Sequence, residues 1–195
     1  ALDTVSPMIW KRAGRQIQRQ FLEPCGQRDD WGWMGTHPPT HPNNWNPWIN
    51  SNRLACLLLV EADPRDRARQ VARTLVSLDR FIDGYPPDGG CDEGPGYWNR
   101  AAGSLLHRAT GGAIDVFDRD LIKEMARFPM RVHIGGPWMV NFADASPLAR
   151  PLWGLTTRYA ARIGDEAMLA FGRWLAREAG VVDGTSGLVS GKGAM

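Results

Sequence analysis

Two stretches of this chain concentrate residue types that handle sugars. The first, QRDDWGWMGTHPPTHPNNWNP from Gln27 to Pro47, holds His37, His41, Asn43, Asn44 and Asn46, with Asn50 one turn further on. The second, PPDGGCDEGPGYWNR from Pro86, holds Glu93, Tyr97 and Asn99. Side-chain amides donate and accept in a fixed plane, and indole faces such as those of Trp45, Trp48 and Trp98 stack on the C–H faces of sugar rings. This is the composition of a carbohydrate site. The same residues also have structural uses: Asn43 and Asn44 can satisfy loop backbone and cap the following helix, and the Trp side chains can fill the loop's own core. A third stretch, HIGGPWMVNFADASP, adds His133, which either lines a cleft or is satisfied within the fold, and Asp144, which reads as the cap of a following helix.

Helices must position these loops. Ser6 and Pro7 start a first helix over 7–22, with Trp10, Ala13, Ile17 and Phe21 on one face and Pro24 and Gly26 ending it. A second covers about 47–62 and is apolar on nearly all sides through LACLLLV, which predicts an inner, buried layer with Cys56 as a small hydrophobe. The third, PRDRARQVARTLVSLDRFID, is amphipathic, with Val71, Leu75, Leu78 and Ile82 inward and its arginines on a solvated surface. A fourth is expected from Tyr97 to Ala109, and a fifth around Leu121 to Phe128 with Asp118 as cap. The run after Pro129 reads as an extended loop with at most one short strand. A final pair, about 147–163 and 165–179, forms a hairpin around Gly164-Asp165. Inner helix, short turn, outer helix and long loop recur, so the predicted fold is all-α. Its expected architecture is an incomplete (α/α) toroid of antiparallel helical hairpins over 1–180, with 181–195 a loose Gly/Ser-rich tail or truncated end. In such a stack both odd loops precede an inner helix and meet at one mouth.

Composition narrows the classes. The chain has 195 residues, 43% hydrophobic and 23% charged, which is ordinary for a globular protein and argues against a disordered or fibrous one. A net charge of +2, with 21 acids scattered among 23 bases and no Lys/Arg block, argues against a nucleic-acid partner. The longest apolar run, Leu54 to Val60, is far short of the roughly 20 residues that span a bilayer, so no membrane partner is expected. Three widely spaced cysteines, Cys25, Cys56 and Cys91, suit neither a zinc site nor a disulfide framework. No cofactor or metal is expected. Nine Trp against three Tyr is the compositional anomaly, and four of the nine lie in the first loop.

The segments NNWNPWINSN, DGGCDEGPGYWNRAAGSL and HIGGPWMVNFADASP, in this order, resemble the N-terminal helical part of the heparinase II/III-like family of polysaccharide lyases. The resemblance covers most of residues 1–179, and DGG-x-x-EGPGYW is its most specific piece. It implies a toroid followed by a β-sandwich domain, a periplasmic or secreted location although no signal peptide is visible, and β-elimination of uronic-acid polysaccharides. It further implies an Asn-His pair in the first loop and a Tyr in the second; Asn44 matches the Asn and Tyr97 the Tyr. A phenol, with its ordinary pKa of about 10, acts as base or acid only beside a cation or donor that lowers it.

The chain departs from the family pattern in two ways. Trp45 stands where the lyases carry histidine, and indole cannot exchange a proton. His41 is the candidate replacement from within the loop. The remaining expected substrate contacts are Asn43, Trp45, Asn46, Trp48, Asn50, Glu93, Trp98 and His133. About seven helices are also too few to close the family's toroid. A fragment or reduced homologue is therefore expected, with an exposed apolar edge that favours self-association. Three readings follow: a lyase acting on acidic polysaccharide, a non-catalytic carbohydrate-binding or structural module, and a glycoside hydrolase. The last needs two carboxylates facing across a cleft, with Asp92, Glu93 and Asp144 available.

Overall fold

A computed structural model describes residues 6–36, 42–101, 116–148 and 150–181. The protein is mostly helical, with one two-stranded hairpin among the described residues. Helix α1 (Pro7–Ile17) starts as its sequence predicts, with the Ser6 hydroxyl accepting from the Met8 N–H at 3.3 Å and Pro7 in the first turn. It does not end at Pro24. A π-type turn (Gln18–Leu22) leads directly into α2 (Glu23–Gln27), and Pro24 falls at the start of this new segment, where a missing N–H is tolerated. Of the predicted face, Ala13, Ile17 and Phe21 are only half-buried, and Trp10, Met8 and Ile9 are exposed.

Helices α3 (Trp45–Val60) and α4 (Pro64–Asp83) form an antiparallel hairpin: Asn50 meets Ser77, and nearer the turn Arg53 meets Gln70. The Asp63 carboxylate caps α4 by accepting from the Arg65 and Asp66 N–H groups at 2.8 and 3.2 Å. The expected fully buried inner helix is corrected here. Leu58 and Leu59 of α3 are 56% and 70% exposed, and Cys56 is half-buried. The buried stripe of α3 is instead largely polar, with Asn46, Asn50, Ser51 and Arg53 each at most 2% exposed. Arg53 reaches the Cys25 carbonyl at 3.0 Å, and loss of solvent lowers its pKa. Nor are all arginines of α4 merely solvated, since Arg67 donates to the Glu61 carbonyl at 2.9 Å.

The short α5 (Pro95–Trp98) follows the DGGCDEGPG turn, and the residues of the predicted fourth helix beyond 101 lie outside the described ones. Helix α6 (Asp120–Arg131) begins after Arg119 rather than Asp118 and runs through Pro129. The stretch after it folds into the strands β1 (His133–Gly135) and β2 (Trp138–Met139), turned at Gly136-Pro137. Helix α7 (Trp153–Ile163) starts six residues later than predicted, because Pro147 and Pro151 keep the chain extended or turned; Leu152 is its N-cap, so Asp144 caps no helix. Gly164 in the left-handed region and Asp165, which caps α8 (Glu166–Glu178) through the Met168 N–H at 2.9 Å, make the predicted hairpin. Where α7 and α8 cross, a Cβ on Gly172 would lie 2.6 Å from Thr157 Cγ2, so the two backbones approach closely.

One apolar cluster ties these pieces together, with Leu54, Leu78, Phe81, Trp98, Ile122, Met125, Tyr159 and Met168 joining α3 through α8. Arg127 adds a polar tie, bonding Asp165 at 2.7 Å and Glu124 at 2.8 Å. No helix among the described residues is long and apolar enough to cross a membrane.

Candidate functional site

The three sequence segments meet in the structure. Asn44, at the start of α3, accepts from the Cys91 thiol of the second segment at a long 3.9 Å, the reach expected of sulfur. Arg100 of the second segment places its guanidinium over the Trp48 ring of the first, 5.0 Å from the centroid. The third segment packs against the second at Gly94, where a Cβ would lie 2.6 Å from Ala145 Cβ and 2.7 Å from the Phe142 carbonyl oxygen.

Local sequence explains the geometry of the second segment. The turn CDEG closes through the Gly94 N–H donating to the Cys91 carbonyl at 2.8 Å, while Asp92 Oδ1 accepts from the Glu93 N–H at 2.9 Å. Gly94 then takes φ 87° and ψ 175°, open almost only to glycine, and Pro95 starts α5. Gly89, five residues earlier, also has positive φ and lies against the α6 backbone, where a Cβ would come within 2.2 Å of the Glu124 carbonyl carbon. Two glycines of the DGG-x-x-EGPG motif are therefore required by packing.

The predicted residues separate into three groups. Asn46, Asn50 and Trp98 are interior, each 0% exposed, and the expectation that they contact substrate is corrected. Asn46 Nδ2 lies 2.7 Å from the Trp33 carbonyl and 3.0 Å from the Ser77 hydroxyl, and Asn50 Nδ2 lies 2.9 Å from the same hydroxyl. Through their Nδ2 donors these amides hold the first loop and α4 onto α3, while Asn50 Oδ1 has no partner among the described residues. The Trp98 indole N–H donates to the Met125 carbonyl at 2.7 Å, and its ring packs near Tyr159. Asn99 braces the chain ahead of α7, accepting from the Leu152 N–H at 3.0 Å and donating to the Arg150 carbonyl at 3.2 Å.

The second group lies at the junction and reaches its surface. Trp45 is 55% exposed and its ring sits 5.5 Å from that of the half-buried Trp48. Asn43 is exposed and accepts from the Trp45 N–H at 3.1 Å, the local capping use its sequence allowed. Tyr97 and Glu93 are half-buried, and the Tyr97 side chain packs against the apolar cluster. Asn44 is 4% exposed, and its Nδ2 has no hydrogen-bond partner among the described residues. Next to it, burial pushes the Cys91 thiol up to about 11, which keeps it neutral. His37 and His41, the latter expected to replace the family histidine, lie outside the described residues.

His133 falls elsewhere. Its Nε2 is 3.0 Å from the Gly136 carbonyl and its ring is 4.7 Å from that of Trp174, beside a cavity of about 90 Å³ between the β-hairpin, Trp153 and the end of α8. Asp144 is exposed on the loop that rests on Gly94.

Sequence reasoning missed Arg100. The signal was its spacing: three residues past Tyr97, with the Arg100 N–H donating to the Tyr97 carbonyl at 2.9 Å, it lies on the same side of a helical turn. No cluster of three or more metal-ligating side chains occurs among the described residues. Compared with known proteins, the chain matches no protein-family model and no curated protein.

Proposed function

We propose that this is a carbohydrate-active protein of the lyase type, acting on uronic-acid-containing polysaccharide at the junction of the first two loops. The hairpins α3–α4 and α7–α8 support an incomplete α/α toroid as its scaffold. The observation that carries the functional reading is Asn44: a buried amide donor without a described partner, at the point where both loops converge. An orphaned buried donor costs about 1–3 kcal/mol; Asn50 Oδ1, Arg53 Nε and the Tyr85 hydroxyl also lack partners among the described residues, and Asn44 differs from them in joining the first loop to the second. In β-elimination a donor polarises the uronate carboxylate and acidifies C5–H. A base takes that proton, the C4–O4 bond breaks as the C4–C5 double bond forms, and the departing O4 collects a proton. Asn44 supplies the first role and Tyr97 the proton transfers.

The experiment is to follow unsaturated uronate by ultraviolet absorbance with the full-length protein and acidic polysaccharides. Tyr97→Phe is expected to abolish the signal, and undiminished product formation by this variant refutes the assignment. The 4% exposure of Asn44 and the open Trp45–Trp48 face favour a second reading, a non-catalytic saccharide-binding module. Binding seen by Trp fluorescence, with no product, selects it.

A further inference from the structure

We propose that Arg100 is the carboxylate anchor of this site and makes it selective for acidic over neutral saccharides. The inference rests on the reading of the two-loop junction as a saccharide site, and it holds for a catalytic or a purely binding one. A carboxylate held at this junction needs a cation, and the Trp45–Trp48 face carries no charge of its own. Arg100 provides one. Its guanidinium lies over Trp48, 5.0 Å from the ring centroid, which places the head group beside the aromatic surface on which a sugar would stack.

Among the described residues, four other arginines of the protein are paired with carboxylates. Arg28 pairs with Asp30, Arg69 with Asp66, Arg131 with Glu124, and Arg127 with both Glu124 and Asp165. Arg100 is exposed and forms no ion pair with a carboxylate among the described residues. A guanidinium held on an indole still presents its in-plane N–H groups, and these match the two oxygens of a uronate carboxylate. The backbone bond from Arg100 to Tyr97 puts the anchor one helical turn from the phenol, so a uronate held by the arginine brings its ring alongside Tyr97.

The test is isothermal titration calorimetry of the full-length protein with a hexuronate oligosaccharide and with a neutral glucan oligosaccharide of equal length, at two salt concentrations. Wild type is expected to prefer the hexuronate. Arg100→Gln should lose about tenfold in affinity for the hexuronate, lose most of its salt dependence, and leave glucan affinity unchanged. Arg100→Lys, which keeps the charge and loses the fork, should recover part of the loss. Thermal unfolding checks that both variants fold, as an exposed substitution permits. Hexuronate binding that survives Arg100→Gln undiminished overturns the anchor and leaves the saccharide site standing. Equal loss for hexuronate and glucan also overturns it, as a merely structural role. Absence of binding by wild type to either sugar overturns the anchor and the proposed site together.

Discussion

Gly94→Ala separates a motif kept for packing from one kept for flexibility. At φ 87° and ψ 175° the backbone occupies a region essentially reserved for glycine, and a side chain there costs about 1–3 kcal/mol. The added Cβ would also sit 2.6 Å from Ala145 Cβ and 2.7 Å from the Phe142 carbonyl oxygen, roughly 1 Å inside ordinary contact distance. Ala145 is buried and Phe142 O is backbone, so neither yields without moving the third segment, which adds about 1–3 kcal/mol of overpacking. The sum, about 4 kcal/mol, corresponds to a fall in Tm of about 10 °C for a chain of this size. Gly96→Ala, two residues away, is the control: its Cβ meets Ala145 only at 3.8–3.9 Å, and its φ is not positive, so it should be within about 0.5 kcal/mol of wild type. Adding Ala145→Gly to Gly94→Ala removes one clash and leaves the backbone cost and the Phe142 contact. A double-mutant cycle in urea should therefore show about 1 kcal/mol of favourable coupling. Equal stabilities for the Gly94 and Gly96 variants would refute the placement of the third segment on this turn.

Two further outcomes follow from the interior polar groups. Asn46→Ala should destabilise by about 3 kcal/mol in urea titration, since it strands the Trp33 carbonyl and part of the Ser77 hydroxyl, yet leave the saccharide affinity of the folded protein unchanged. A weaker saccharide affinity with intact stability would return Asn46 to the proposed site. The Met168 N–H and the Arg127 guanidinium hold the Asp165 carboxyl below its ordinary value of 3.8, so its stabilisation is full above that value and is lost as pH falls through the lower folded one. Asp165→Asn keeps a capping side chain and loses the charge, so it should cost about 1 kcal/mol at neutral pH and progressively less as pH falls below 3.8. A wild-type advantage that persists unchanged into acid would exclude the ion pair as its source.

Much of the scaffold was legible because local rules decide it. Ser6-Pro7, Asp63-Pro64 and Gly164-Asp165 mark helix ends through capping and restricted dihedrals, which act within a few residues and survive most tertiary contexts. The all-α class followed from these ends and from 3.6-residue periodicity. Pro24 misled because a π-type turn placed it at the start of a new helical segment, and the β-hairpin after α6 went unread because its strands are two and three residues long. The site was legible only as composition. Identical asparagines in NNWNPWIN divide into exposed Asn43, Asn44 at the loop junction and the wholly interior Asn46 and Asn50, with Asn44 Nδ2 and Asn50 Oδ1 both unpartnered among the described residues.

By itself, then, the chain's order of residues determined where helices begin, where the chain must turn, and that amides and indoles crowd two loops. Tertiary structure alone decided which of those groups face inward. An amide or an indole serves equally well as core or as ligand surface, and only the partner it meets, Ser77 for Asn46 or Met125 for Trp98, settles which role it takes.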